Sequence, residues 1–192
     1  MSPAAASKIV AITMYSPSER HELIRYLDRT RDELLSAVAG LSDAQLNFKQ
    51  PPAHWSIADN VEHVALVEEV IGTRILQELI SASSFPAVSS VNQTDAAVLK
   101  KAVDRSVGIE SSAQFLPTGK PTAISLEHFL TSRKKIVGFI RSTVLDLRQI
   151  ITSSRMFGPV DGHQRLLGLA GHCARHTAQI LETKSHPNFP AP

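Results

Sequence analysis

Apolar residues recur at intervals of three and four along most of the chain, which is the spacing of one face of an α-helix. Four long segments show this pattern, and stretches rich in proline, glycine and serine separate them. We expect helices over approximately residues 17–39, 56–80, 125–151 and 163–184, with a shorter one over about 94–103. No alternating pattern long enough to indicate a β-strand is present.

The residues at the predicted helix ends agree with this reading. Ser16 and Pro17 suit the cap and first turn of the first helix, and Gly40 follows its end. Ser56 and Asp59 have the spacing of a capping box, in which a serine and an acidic residue satisfy each other's backbone N–H groups. The second long helix therefore begins immediately after Ser56.

A long connection between the second and third helices cannot be a simple turn. Four long amphipathic helices with such a connection predict an all-α fold, an antiparallel four-helix bundle with a long crossover connection. A length of 192 residues fits one domain. We expect residues 1–192 to form it, with residues 1–15 as an N-terminal arm on the body and residues 185–192 as an irregular tail.

Composition excludes several classes of function. Apolar residues make up 43% and charged residues 20% of the chain, which is an ordinary balance for a globular protein. The net charge of +2 is interspersed, so no basic cluster predicts nucleic-acid binding. No apolar run approaches the ~18 residues of a membrane span. The single cysteine, Cys173, excludes an internal disulfide, and we expect a cytoplasmic protein.

Among the eight histidines, only His172 and His176 stand four residues apart on a predicted helix. At about 100° per residue, both rings project from one face, about 6 Å apart along the axis. Leu169 and Gln179 fall on the same side, so the two imidazoles border the core-facing stripe. His63 occupies a similar inward face of the second helix.

These positions leave two alternatives open. A single inward histidine is more often a hydrogen-bonded core residue than a metal ligand, and a pair at this spacing also arises by chance. Three inward histidines on two helices could instead converge on one divalent metal ion. The residues alone do not decide between the two.

Several motifs, taken in order, carry a resemblance to a known family. They are Trp55-Ser56-Ile57, Asn60-Val61-Glu62-His63, Pro117-Thr118-Gly119, a following helix that contains Arg133, and Gly171-His172-Cys173-Ala174-Arg175-His176-Thr177-Ala178-Gln179-Ile180. In this order, and over nearly the whole chain, they resemble the DinB family of DinB/YfiT-like metalloenzymes.

The resemblance implies a four-helix bundle that holds one divalent transition metal through three histidines. These correspond to His63, His172 and His176. Nickel, zinc and iron all accept imidazole ligands, so the ligand type does not choose among them. Relatives include transferases and isomerases that use low-molecular-weight thiols. Gln179 is not expected to bind the metal itself. It is expected to orient a ligand imidazole or a metal-bound water, or else to be a packing residue.

We therefore expect a metal-dependent enzyme with a small-molecule substrate. Three protein ligands leave at least one coordination position open, which is typical of catalytic sites. No acidic residue is placed to act as a general base, which favours a thiol-dependent transferase over a hydrolase. A metal-dependent hydrolase, a non-catalytic bundle that binds metal or a small ligand, and an interaction protein are the alternatives. No catalytic residue is assigned, and a homodimer is left open.

Other residues have simpler expected roles. Trp55 is predicted to anchor the second helix in the core, and Cys173 to be a small core residue. His128 could supply a fourth ligand, but a surface position near a helix start is favoured. Arg175 could bind an anionic group of a substrate, but an ion pair with another helix is favoured. Three further charged residues are expected to be solvated or salt-bridged: Asp59, Glu62 and Arg133.

Overall fold

Helices dominate the part of the chain that the computed structural model describes, which is residues 15–49, 54–82, 93–106 and 111–191. The helices are α1 (Pro17–Val38), α2 (Asp43–Leu46), α3 (Ile57–Ala82), α4 (Asp95–Val103), α5 (Thr122–Ser142) and α6 (Gly162–Lys184). A two-stranded sheet consists of β1 (Ile151–Ser154) and β2 (Gly158–Asp161), and a 3-10 turn spans Ala113–Phe115. The predicted helices are all present.

The capping box at the start of α3 is confirmed. The Ser56 N–H donates to Asp59 Oδ2 at 2.9 Å, and the Asp59 N–H donates to Ser56 Oγ at 3.1 Å. Lys49 Nζ also lies 2.6 Å from Asp59 Oδ2, so Asp59 is salt-bridged as expected. These contacts fix the first turn of α3, and His63 follows Ser56 by about two helical turns.

Around the bundle the long helices follow the order α1, α6, α3, α5, and each packs on two neighbours. The Tyr15 hydroxyl, just before α1, bonds His163 at the start of α6. At the other end, Lys184 donates to the Ala37 carbonyl. Helices α1 and α6 therefore run in the same direction.

Helix α3 runs opposite to α6. Glu78 in the last part of α3 is 3.2 Å from Arg165 at the start of α6, whereas His63 near the start of α3 meets His172 near the middle of α6. The pairing of Glu69 with His128 shows that α5 lies along α3.

Helices α1 and α6 therefore run in one direction and α3 and α5 in the other, and the crossover connection lies between α3 and α5. Thr118, just before α5, bonds Glu62 near the start of α3, and Gly72 further along α3 approaches Ile136 further along α5. These two helices are parallel, so the chain must return along the bundle before α5 begins. This confirms the four-helix bundle with a long crossover connection.

A buried polar layer divides the core into two apolar clusters. Arg133 and Glu68 are each 1% exposed. Arg133 Nη2 donates to Glu68 Oε2 at 3.1 Å, and Nη1 donates to Thr30 Oγ1 at 3.0 Å. Arg133 was expected to be either solvated or salt-bridged. It is salt-bridged, but inside the core, where pairing with Glu68 offsets the cost of burying its charge.

The third long helix differs from its prediction at both ends, since it begins at Thr122 and ends at Ser142 rather than near Ile151. Beyond Thr143 the chain leaves the helix, and Val144 is 87% exposed. Ile151 instead begins β1, which pairs antiparallel with β2. This hairpin is a small addition to the all-α fold, and each of its strands has only four residues, too few to show a clear alternation in the sequence.

Three further segments complete the comparison with the sequence. Residues 43–46 form a single helical turn between α1 and α3. Of the predicted arm, only Tyr15 is described, and it is buried; residues 1–14 lie outside the described residues. Residues 185–191 form no helix or strand, as predicted. None of the described helices combines the length and apolar character that a membrane span needs.

Candidate metal centre

Three histidines converge between α3 and α6. One ring nitrogen from each of His63, His172 and His176 lies within 4.8 Å of the other two. The ring centroids are 4.5 to 5.0 Å apart. The structure therefore brings together the three histidines that the sequence placed on inward faces.

A backbone carbonyl orients His63. Its Nδ1 lies 2.8 Å from the Phe115 carbonyl oxygen, at the end of the 3-10 turn. A carbonyl only accepts hydrogen bonds, so Nδ1 carries the proton. The Nε2 atom of His63 then has its lone pair directed into the cluster.

An asparagine orients His176 in the same way. His176 Nδ1 is 2.9 Å from Asn60 Oδ1. The Asn60 amide nitrogen donates to the Ser56 carbonyl at 2.9 Å, which fixes the amide so that its oxygen faces His176. His176 therefore donates from Nδ1, and its Nε2 is left as the ligand atom.

His172 is held by the cluster itself. Its Nε2 is 3.1 Å from His63 Nε2. A divalent ion held between these two nitrogens would make Nε2 the ligand atom of His172 and place the ring proton on Nδ1.

The geometry and the donor set both fit a divalent transition metal. Two nitrogens bound to one tetrahedral zinc ion at about 2.0–2.1 Å would stand about 3.3 Å apart. The 3.1 Å separation of His63 Nε2 and His172 Nε2 is close to that value. Hydrogen bonds from the outer nitrogens of His63 and His176 are the usual support of imidazole ligands.

The environment keeps all three imidazoles neutral, which metal binding requires. Burial lowers the pKa of His63, and the hydrogen bond to Phe115 acts in the opposite direction. Burial, then the neighbouring His63 and Arg175, lower the pKa of His172 to about 3. Burial and the neighbouring His172 lower the pKa of His176 well below its usual value.

A cavity of about 670 Å³ opens onto the three histidines. Its wall is largely apolar, and it includes the side chains of Trp55, Val67, Ile71, Phe115 and Met156. The Trp55 ring lies with its centroid 4.7 Å from that of His63 and stacks on His176 at 6.0 Å. The prediction that Trp55 anchors α3 in the core was wrong, because its ring covers the histidines and lines the cavity.

A glycine lets α4 form one side of this cavity. A Cβ atom at Gly171 would lie 2.6 Å from Ala102 Cβ, a distance that real Cβ atoms do not show. The lack of a side chain at Gly171 therefore allows α4 to pack directly beside His172. This contact brings Lys101 and Asp104 to the rim of the cavity.

A family model for the DinB superfamily matches residues 26–180, which include all three histidines. The chain belongs to the DinB superfamily. The resemblance that its motifs carried is thereby confirmed. A search of the curated proteins found no match.

Among solved structures, this DinB superfamily member is similar to YfiT from Bacillus subtilis, described as a probable metal-dependent hydrolase with an unusual four-helix bundle topology. The TM-score is 0.60 and the sequence identity 16%, over 95% of this chain and 91% of the YfiT chain. At this identity the likeness establishes the fold.

The remaining site predictions have mixed outcomes. Gln179 lines the cavity beside His176, and its Oε1 atom is buried with no hydrogen-bond partner among the described residues. His128 lies on the surface of α5, 3.2 Å from Glu69, and outside the histidine cluster. Cys173 is fully buried, as predicted, and burial raises the pKa of its thiol to about 12.

Glu62 is buried, and none of its partners among the described residues is a cation, which corrects the prediction that it is solvated or salt-bridged. It is 2% exposed, and its carboxylate accepts hydrogen bonds from the Thr118 hydroxyl and from the Gly119 and Lys120 N–H groups. The Glu62 carboxylate thus fixes the loop before α5 to α3, at the position directly before His63. The sequence offered no sign of this because the partners are more than fifty residues away.

Asn60 and Phe115 support the histidines but were not predicted to do so. Replacing Asn60 with Ala is expected to weaken zinc binding about 10- to 100-fold, the usual effect of losing a hydrogen bond to a metal-bound imidazole. Competition with a chromophoric chelator measures this loss. The same change at exposed Asn188 is the matched control and should leave zinc affinity unchanged. Equal affinities for the two variants would show that Asn60 does not support a ligand.

Proposed function

We propose that the protein is a metal-dependent enzyme in which His63, His172 and His176 hold one divalent transition metal, and that it transfers a thiol to an electrophilic substrate. The observation that supports this most is the convergence of three neutral imidazoles at the floor of an open cavity. A closed structural site would instead be surrounded by four protein ligands.

A divalent ion held there would supply Lewis acidity, which lowers the pKa of a nucleophile close to neutral pH. The protein's own contribution is to keep the three imidazoles neutral and oriented, through Phe115 and Asn60. Trp55 and the apolar wall surround the position beside them. Gln179 is proposed to accept a hydrogen bond from the bound substrate or nucleophile.

A thiol is favoured over water as the nucleophile because a general base is missing from the described part of the site. The Glu62 carboxylate is occupied by three hydrogen bonds, and Asp104, the acidic residue that lines the cavity, is exposed. A thiol, with a pKa of about 8.5, ionises far more readily than water. In the transfer, sulfur forms a bond to an electrophilic carbon, the leaving group departs with its electron pair, and the thiol proton passes to solvent.

The test is spectroscopic. Cobalt-substituted protein titrated with mercaptoethanol is expected to develop a sulfur-to-cobalt charge-transfer band in the near ultraviolet. Cys173→Ala removes the protein's own thiol, which is buried, and should keep the band. His63→Ala should lose the band together with the metal. A spectrum that thiols leave unchanged, but that phosphate or carboxylate perturbs, would contradict thiol transfer.

A metal-dependent hydrolase is the second candidate. The similarity to YfiT, which is described as a probable metal-dependent hydrolase, favours it. If zinc-loaded protein cleaves ester or amide substrates but accelerates no reaction between thiols and electrophiles, this candidate replaces the first. If it does neither while retaining one equivalent of metal, the bundle binds metal without catalysis.

A further inference from the structure

The cavity beside the histidines carries an excess of positive charge. Of the described residues that line it, Lys101, Arg155 and Arg175 are cationic, and Asp104 is the single acid. The histidines are neutral, and a bound divalent ion would add further positive charge. An apolar cavity with this charge favours a ligand that combines an apolar body with an anionic group.

Arg175 shares its helix with two of the three histidines. It is on α6 between His172 and His176, and it is only 8% exposed. Arg175 lines the same cavity as His172 and His176, and its charge lowers the pKa of both histidines. A guanidinium on the wall of this cavity is a suitable charged donor to a carboxylate or phosphate group of a ligand.

The other two cations come from different parts of the fold. Lys101 is on α4, which reaches the cavity because of the close packing at Gly171. Arg155 is in the turn between β1 and β2, and its Nη1 donates to Ser112 Oγ at 3.0 Å on the same rim. Within the described ranges, neither Lys101 nor Arg155 forms an ion pair. By contrast, Arg105, outside this cavity, is bound to Glu182.

We propose that this cavity binds its ligand through an anionic group, a carboxylate or a phosphate, which Arg175 holds with help from Lys101 and Arg155. The substrate class is thus a small amphipathic anion whose apolar part lies against Trp55 and the neighbouring wall. This proposal rests on the proposed function in one respect, which is that the ligand of the cavity is taken to be the substrate of the enzyme. It does not depend on which metal is bound or on a thiol.

Trp55 provides a direct readout, because it is the single tryptophan of the chain and lines the cavity. Metal-free and zinc-loaded protein are titrated at low ionic strength with phenylacetate, phenyl phosphate and the neutral phenethyl alcohol, and Trp55 fluorescence is followed. At least one of the two anions is expected to bind about 10-fold or more tightly than the alcohol, because one charge-assisted hydrogen bond contributes a difference of this size. The same preference is expected in the metal-free protein. The tighter of the two anions identifies the group.

Variants test whether the three cations cause this preference. In Arg175→Gln, the ratio of the affinity for the anion to the affinity for the alcohol should fall close to one. The double variant Lys101→Gln with Arg155→Gln, on exposed residues, should reduce it about threefold or more. Lys100→Gln, at the exposed position before Lys101, is the matched control and should leave it unchanged.

Two results would overturn the anion site. The first is equal affinity of the wild type for the alcohol and both anions. The second is an anion preference that survives in the double variant and, where that protein folds, in Arg175→Gln. Because the metal-free titration involves no metal, the anion site can fail while the metal centre stands. Likewise, loss of metal binding or thiol transfer would leave an observed anion preference intact.

Discussion

Replacing His176 with Ala is expected to lower the affinity for zinc by more than about 100-fold, which is the upper range for losing only an outer hydrogen bond. The variant loses one of three ligands, and it also leaves the Asn60 amide oxygen without its donor. Helical circular dichroism should be largely retained, because the apolar clusters do not include the imidazole. Competition with a chromophoric chelator measures the change in affinity.

His128→Ala is the matched control for this loss. His128 is the histidine that was considered as a fourth ligand, but its ring lies beside Glu69 on the surface of α5. Its removal should leave zinc affinity unchanged. If both variants bind zinc as the wild type does, the three-histidine assignment is wrong; if His128→Ala loses zinc, the ligand set must be revised.

Mild acid is expected to destabilise the metal-free protein strongly. In the folded chain the pKa of His63, His172 and His176 is lowered, to about 3 for His172. In the unfolded chain the same side chains bind protons below their ordinary pKa of about 6.5. As pH falls below about 6.5, the unfolded state therefore takes up protons that the folded state does not, and the free energy of unfolding decreases.

The expected loss between about pH 7 and pH 5 is about 2 kcal/mol for His172, whose folded pKa lies below this range, and His63 and His176 add to the loss in the same direction. Urea denaturation at the two pH values, in the presence of a chelator, measures it. His172→Leu removes one proton-binding group and should reduce the loss by about 2 kcal/mol. His21→Gln, at an exposed position on α1, should leave the loss unchanged. A free energy of unfolding that is constant or rises toward pH 5 would contradict neutral burial of the cluster.

The histidine cluster could be predicted because its members obey helical periodicity. His172 and His176 share a face of α6 since four residues complete slightly more than one turn, and His63 lies on the inward face of α3. The capping box of Ser56 and Asp59 fixed where α3 begins. Local patterns of this kind are visible in a sequence whatever the rest of the chain does.

The supporting contacts could not be predicted because they join distant parts of the chain. Phe115 reaches His63 through a backbone carbonyl, which any residue carries, and Asn60 is recognisable as a partner of His176 only once α3 and α6 are packed. Likewise, Trp55 has the apolar character of a core residue. Only the position of the cavity shows that its ring covers the ligands.

The hairpin escaped prediction for a different reason. Leu145 and Leu147 continue the helical spacing of α5 past Ser142, so the periodicity alone extends that helix too far. Two features favour a hairpin at this position. Ile151 and Thr152 are β-branched, and Gly158, which pairs with Ser154 next to the turn, adopts a φ of 75°. A strand of four residues places only two side chains on each face, which is too few to distinguish alternation from chance.

Anomalous diffraction from crystals of the zinc-loaded protein tests the proposed metal centre most directly. We predict one strong zinc peak per chain between α3 and α6, at about 2.0–2.1 Å from the Nε2 atoms of His63, His172 and His176, with the remaining position open to the cavity. A peak bound by other residues, or no peak at this cluster in protein that contains zinc, would contradict it.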